Sequence, residues 1–284
     1  MNPKHHEGPI LNRCESSAVG HRDYLSEYLA HAPAALALLR AIECRELDGI
    51  EFPRPLLDLG CGDGLFGQVF FEDKPELGLD FSMDELRTSV SRDAYQGLVQ
   101  SDITQIACGD ETFASVFSNG VLEHVCNVGA GLSEIARVLR PGGRLIFTVP
   151  TMEDERQLTG AALLRAAGLK DLSEAYAGSY NRIFGQINMH TAREWSDMLA
   201  ESGLSVVHHR HYGHAMVFRL HDLTLPLSLP NFVCKRLTGR WSVLTELRRV
   251  TVAPLWARAL RGVYAEQDAP GCSLLVVAEK RADC

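Results

Sequence analysis

An α/β fold built on a doubly wound, mostly parallel sheet is predicted by three observations. Short apolar runs alternate with helical segments, a pattern that builds parallel strands joined by right-handed crossovers. A glycine-rich turn (Gly60, Gly62, Gly64) follows the first of those runs, and acids close the next two, at Asp80 and Asp102. The chain has 284 residues, above the common single-domain size but within one elaborated α/β domain. Its 46% hydrophobic and 23% charged residues are ordinary globular usage, which excludes a disordered or fibrous chain.

Taken in order, residues 24 to 47 carry Leu25, Leu29, Leu36, Leu39 and Ile42 at helical spacing around a break at Pro33, an N-terminal helical cap over 1–54. Leu56–Leu59, Leu77–Leu79, Leu98–Val99, Ser115–Phe117 and Arg144–Val149 read as strands of a core over 55–150. A helix over Leu132–Leu139 is expected to stop at Pro141-Gly142-Gly143. After a first substrate lid over 151–190, the core resumes over 191–213 with a capping box, Thr191 to Glu194, opening a helix that Gly203 ends. Strands follow at Leu204–His209 and, in the last segment 271–284, at Ser273–Ala278; between them 214–270 forms a second long insertion.

The net charge of −8 argues against a nucleic-acid partner held through its phosphates. Eight cysteines without a C-x-x-C pair signal neither a zinc ribbon nor a disulfide framework and are expected as reduced thiols. The first twenty residues lack a signal-peptide run, and no stretch of eighteen uncharged apolar residues occurs, so a cytoplasmic protein is expected. The run from His208 to His214 places 208 opposite to 209 and 211 on a strand, with no carboxylate adjacent, so no metal is expected there.

In a doubly wound sheet the turn after the first strand lies where ligands bind. Its glycines let the chain bend and a ligand approach where a Cβ would collide. A dinucleotide site would want a small residue where Leu65 stands, and Asp58 at the strand end would repel a pyrophosphate. Asp58 and free backbone amides instead suit an amino acid's ammonium and carboxylate. Asp80, twenty residues after Gly60 in LGLD, stands where an acid accepts both ribose hydroxyls, and Asp102 is placed for an adenine amino group with Ile103 against the ring.

With these residues in place, LLDLGCGDG (56–64), LGLD (77–80), SVFSNGVLEHV (115–125) and EIARVLRPGGRLIFTVP (134–150) resemble the class I S-adenosylmethionine-dependent methyltransferases, in the broad subgroup that includes the quinone-biosynthesis methyltransferases. The likeness is dense over 55–150, loose over 190–212 and 272–281, and absent from the long insertions. It implies a Rossmann-like seven-stranded sheet with the last strand antiparallel and S-adenosylmethionine as cofactor, leaving S-adenosylhomocysteine. By this resemblance Asp58, Gly60, Cys61, Gly62, Asp80, Phe81, Asp102, Ile103, Asn119 and Gly120 would bind the cofactor. One departure is Phe113-Ala114-Ser115-Val116, where the family often carries an acid; that position is largely structural.

A sulfonium is already an activated donor, so the protein has chiefly to align the acceptor and exclude water. His124, directly after the fourth strand, is the expected base or acceptor-orienting group; His190 and Tyr180, with Asn181 and Arg182, are further candidates from the first lid, and Glu123 is expected to brace the cofactor loop. Residues 233–262 carry seven cations against Glu246, a net +6 that leaves −14 on the rest of the −8 chain. Interleaved with Trp241, Leu244, Leu247, Val250, Leu255, Trp256 and Leu260, they predict amphipathic helices broken at Pro254, after an apolar hinge over 223–230. Three readings stand: helices that only pack on the core, a cover for a lipophilic or anionic acceptor, and a peripheral contact with an acidic membrane through 223–262. The expected activity is methyl transfer to a small, lipophilic metabolite on oxygen or carbon; the alternatives are a non-methylating reaction such as a cyclisation, and a non-catalytic partner subunit.

Overall fold

The computed structural model describes residues 22–151, 158–266 and 271–282. Seven strands form one sheet: β1 (Leu56–Leu59), β2 (Leu77–Asp80), β3 (Gly97–Gln100), β4 (Phe113–Asn119), β5 (Leu139–Pro150), β6 (Leu204–His214) and β7 (Gly271–Lys280), in the order β3-β2-β1-β4-β5-β7-β6. The pairs among β1 to β5 are parallel, and β7 runs antiparallel to both β5 and β6. The strand order reverses between β1 and β4, the crevice where such sheets bind ligands.

Both faces of the sheet are covered, and successive strand residues go to opposite cores as the pleat requires. Leu56, Phe117, Ile146 and Val277 join α1 (Tyr24–His31), α2 (Ala34–Leu47) and α3 (Leu65–Phe70) on one side. Leu57, Val116, Leu145 and Val276 face α5 (Val128–Val138) and α8 (Ala192–Glu201) on the other, while α4 (Met83–Val90) covers Cys61 and Tyr95. The N-terminal helices break at Pro33, as their sequence predicts, and are sunk into the core: Leu25, Leu29 and Leu47 are fully buried. At α8 the capping box is complete, with Thr191 and Glu194 satisfying each other's amides.

Two elements depart from the sequence reading. Helix α5 ends at Val138, and Pro141-Gly142-Gly143 does not cap it. β4 pairs Phe113 with Leu139 and then Ser115 with Arg144, so the triplet is looped out of the ladder, with Gly142 at φ 72°. Proline has no N–H to give an interior strand and is tolerated there only at such a bulge. The other concerns Pro254, which does not break a helix. It lies in the first turn of α12 (Val252–Ala265), where a missing N–H costs nothing, and the break falls before it, after α11 (Thr245–Val250).

The long connections are helical where described. α6 (Thr159–Ala166) and α7 (Lys170–Phe184) follow β5. α9 (Ala215–Thr224), a short turn at Pro226–Ser228, α10 (Leu229–Thr238), α11 and α12 follow β6. Three arginines of this insertion are engaged by the N-terminal helices: Arg248 donates to the carbonyls of Leu29 and Ala32, Arg249 grips Glu27 at 2.6 and 2.9 Å, and Arg261 reaches Asp23 at 3.1 Å. Among the described residues no helix is long and apolar enough to cross a membrane, and no three His, Cys, Asp or Glu side chains converge as a metal site.

Candidate active site

Beyond β1 the chain turns through Gly60, Gly62 and Gly64, all at positive φ (80°, 52° and 77°), where other residues are strained. A Cβ on Gly60 would also collide with the side chain of Val121. The turn is tied to β2: Gly60 and Cys61 donate to the carbonyl of Leu79 at 2.7 and 2.9 Å, and Gly62 donates to Asp80 Oδ2 at 2.9 Å. Asp80 Oδ1 accepts from Ser82 N at 2.8 Å, so both carboxylate oxygens brace the backbone.

Asp58 is 3% exposed and accepts from the hydroxyl of Tyr95 at 2.6 Å. Burial pushes its carboxyl up to about 7, against the Tyr95 hydrogen bond and with the nearby Asp80 charge assisting. Asp58, Gly60, Cys61 and Gly62 open onto a cavity of about 270 Å³, completed by Tyr28 and Arg40 from the N-terminal helices, Asn119 from β4, and Lys235 and Trp241 from the insertion.

A second cavity, of about 180 Å³, lies beyond the ends of β4 and β5 and shares Leu36 and Arg40 with the first. Its polar lining includes Glu43, Glu123, His124, Tyr180, Gln186 and His221, and its apolar lining includes Leu39, Val149, Phe184 and Phe218. Arg40 donates to Glu43 Oε2 at 2.7 Å, the oxygen that also accepts from Asn119 Nδ2 at 2.8 Å. Glu123 is 4% exposed, its Oε2 has no hydrogen-bond partner, and burial pushes its carboxyl up to about 8. The Tyr180 hydroxyl lies 2.9 Å from His221 Nδ1; burial pushes that imidazole down to about 4, so it is neutral near pH 7 and can accept a hydrogen bond from the tyrosine.

The sequence-derived candidates divide accordingly. Asp58, Gly60, Cys61, Gly62 and Asn119 meet at the first cavity, and His124, Tyr180 and Gly120 at the second. His124 Nδ1 lies 3.0 Å from the carbonyl of Gly185 and its Nε2 3.7 Å from Glu123 Oε1. Asp80 stands behind the turn. Asp102 does not join the others: it is exposed and closes a tight turn, accepting from the amide and hydroxyl of Thr104, both at 2.7 Å. Ile103 packs beside Gly131 of α5, and Phe81 is 78% exposed. His190 lines neither cavity; its ring stands edge-on to Trp195, a packing role. Arg182 is exposed, and the side chain of Asn181 lies outside the described residues. Sequence reasoning missed Arg40, Glu43, Tyr95 and His221, and placed Lys235 and Trp241 only in the basic insertion; among the missed residues Arg40 offered a signal, a charge on the apolar N-terminal helix.

Residues 57–147 match the family described as Methyltransferase domain. The malonyl-[acyl-carrier protein] O-methyltransferase of Serratia marcescens is 32% identical over 146 residues, 50% of this chain and 52% of that protein. The chain thus spans about half, or less, of the length of the curated relatives it matches. Among solved structures, the [4+2]-cyclase SpnF superposes with a TM-score of 0.53 at 14% identity, over 87% of this chain and 82% of that one. Geranyl diphosphate C-methyltransferase from Streptomyces coelicolor A3(2), solved with S-adenosyl-L-homocysteine, gives 0.51 at 16%, over 86% and 77%. These two share the fold. Over residues 57–147 the core of this chain is thus similar to a methyltransferase domain.

Proposed function

We propose that the protein transfers a methyl group from S-adenosylmethionine to oxygen or carbon of a small, partly apolar metabolite. One observation carries this reading: two cavities at the switch point of the sheet adjoin across Leu36 and Arg40, as donor and acceptor must for an in-line transfer. The glycine turn fits the proposed cofactor. Gly62 has open space where a Cβ would stand, and Asp58 supplies a buried carboxylate for an ammonium. Gly60, Cys61 and Asn119, with Gly120 beside it, would hold the rest of the amino-acid end, and Asp80, with Phe81, Asp102 and Ile103, would frame the adenosyl group. When bound, the cofactor supplies an electrophilic methyl, so the chain's own task is orientation and exclusion of water.

In the second cavity Tyr180 and His124 would orient the acceptor, with His124 as the base that takes its proton. The Tyr180 hydroxyl donates to the neutral Nδ1 of His221, which fixes the phenol for that orienting role. Oxygen as the acceptor atom is supported by the names of the curated relatives, which are O-methyltransferases. The internal pairing of Arg248, Arg249 and Arg261 favours an insertion that covers the cavities over one that grips a membrane.

Calorimetry with S-adenosylhomocysteine is expected to show binding, and its absence would overturn the reading. Product mass then decides between a methylated product and a rearranged one of unchanged mass, which would place the chemistry with cyclisation. Tyr180→Phe and His124→Asn are expected to lower kcat by roughly 10²-fold without changing the affinity for S-adenosylhomocysteine.

A further inference from the structure

The first cavity is closed by a residue remote in sequence. Lys235, on α10, places Nζ 2.9 Å from Asp63 Oδ2 and 2.7 Å from Glu85 Oε2, and 5.6 Å from the ring centre of Trp241. Asp63 belongs to the glycine turn itself. Its Oδ1 accepts from the amide of Leu65 at 3.1 Å, and its Oδ2 lies 3.4 Å from Arg92. Burial pushes the Asp63 carboxyl up, but Lys235 and Arg92 outweigh it and hold it below the usual range. Four charges, two of each sign, are therefore gathered where the turn, α4 and the insertion meet.

Other contacts bring the same segment down on α4. Arg240 donates to Ser91 Oγ at 2.9 Å and Gly239 ends α10 beside Thr88, while within the insertion Asn231 donates to the carbonyl of Trp241 at 2.8 Å. Both Lys235 and Trp241 line the cavity. Lys235 is 18% exposed and Asp63 10%, so the pair is shielded enough to matter, unlike an ion pair in open solvent.

The geometry points to Lys235 as a positioning residue that latches the insertion over the cofactor cavity. It fixes Asp63, and through Asp63 the glycine turn, and it must leave Asp63 and Glu85 before the cofactor can exchange. The inference rests on the reading that the first cavity takes S-adenosylmethionine. Cofactor residence would then be set by a charge 172 positions away from the turn it steadies.

The test is stopped-flow dissociation of S-adenosylhomocysteine from the full chain. Relative to the native protein, Lys235→Met is expected to raise koff about tenfold, the effect of losing one charge-assisted contact, and Lys235→Arg to restore most of it. Added salt should raise koff in the native protein and leave Lys235→Met nearly unchanged, a signature that mere packing by the lysine stem would not give. Should Lys235→Met fail to fold, Glu85→Gln removes one arm of the latch from the α4 side and is expected to raise koff in the same direction. Equal koff in the native protein and the folded variants overturns the latch while leaving the cofactor reading intact. No binding by the native protein removes both.

Discussion

The two cavities that meet at Arg40 are assembled in different ways. The floor of the first comes from one continuous stretch, Asp58 to Phe66, whose form is dictated by backbone requirements: positive φ at three glycines, two amides on the carbonyl of Leu79, and one on Asp80. The second draws on α2, the turn after β4, β5, α7, β6, α9 and β7, and its Tyr180–His221 pair joins the two long insertions. A site written in backbone geometry tolerates little change and is read from a short string. A site made by convergence of separate helices can be altered one side chain at a time, which is how one fold comes to serve many acceptors.

Substitutions can break this contrast, and the largest effect is expected at Asp58. An acid whose folded pKa lies above its unfolded value costs no stability below the unfolded pKa and its full cost above the folded one. Stability of the apoprotein should therefore fall as pH rises from 3.8 to about 7, by about 4 kcal/mol at 1.36 kcal/mol per unit. Asp58→Asn, which keeps an acceptor for Tyr95, should abolish that slope in urea titrations. It should also weaken S-adenosylhomocysteine binding and remove its rise through neutral pH. Next comes Gly60→Ala, where the positive φ and the collision with Val121 together should cost about 3 kcal/mol, measured by chemical denaturation, with cofactor affinity lost in parallel. No single substitution lining the second cavity should approach that figure if the contrast is right.

The smallest effect sharpens the comparison from outside both cavities. Glu27 is held down to about 2 by hydrogen bonds from His31 and Arg249, and is partly exposed. Its contribution is present above pH 4.5 and lost as pH falls through about 2; Glu27→Gln should cost less than about 1 kcal/mol by thermal melting at neutral pH. A larger loss would mean that docking of the basic insertion on the N-terminal helices governs stability as much as the glycine turn does.

The same contrast explains what the sequence could disclose. The strands, the Pro33 break, the capping box at Thr191 and the glycine turn were legible because each is a local rule acting over a few residues. Asp102 was less legible because an aspartate closing a turn and one aimed at a ligand look alike in sequence, and in this structure its carboxylate accepts from Thr104. His190 was drawn to the site by its place at the close of the first lid, whereas its ring stands edge-on to Trp195. Arg40, Lys235 and His221 escaped because their meaning lies in partners far along the chain: Lys235 in Asp63, His221 in Tyr180. Pro141-Gly142-Gly143 shows a subtler loss, since a helix stop and a strand bulge use the same residues.

The place of β7 between β5 and β6 bears on how the molecule is made. Strands β1 to β5 emerge from the ribosome with a neighbour already present or soon to follow, but β6 pairs only with β7. Until residues 271–280 have been synthesised, β6 carries an unsatisfied edge on a histidine-rich ribbon, and β5 lacks its second partner. Closure of the sheet is thus deferred to translation of its seventh strand, and nascent chains halted ahead of it would hold two open templates for aggregation.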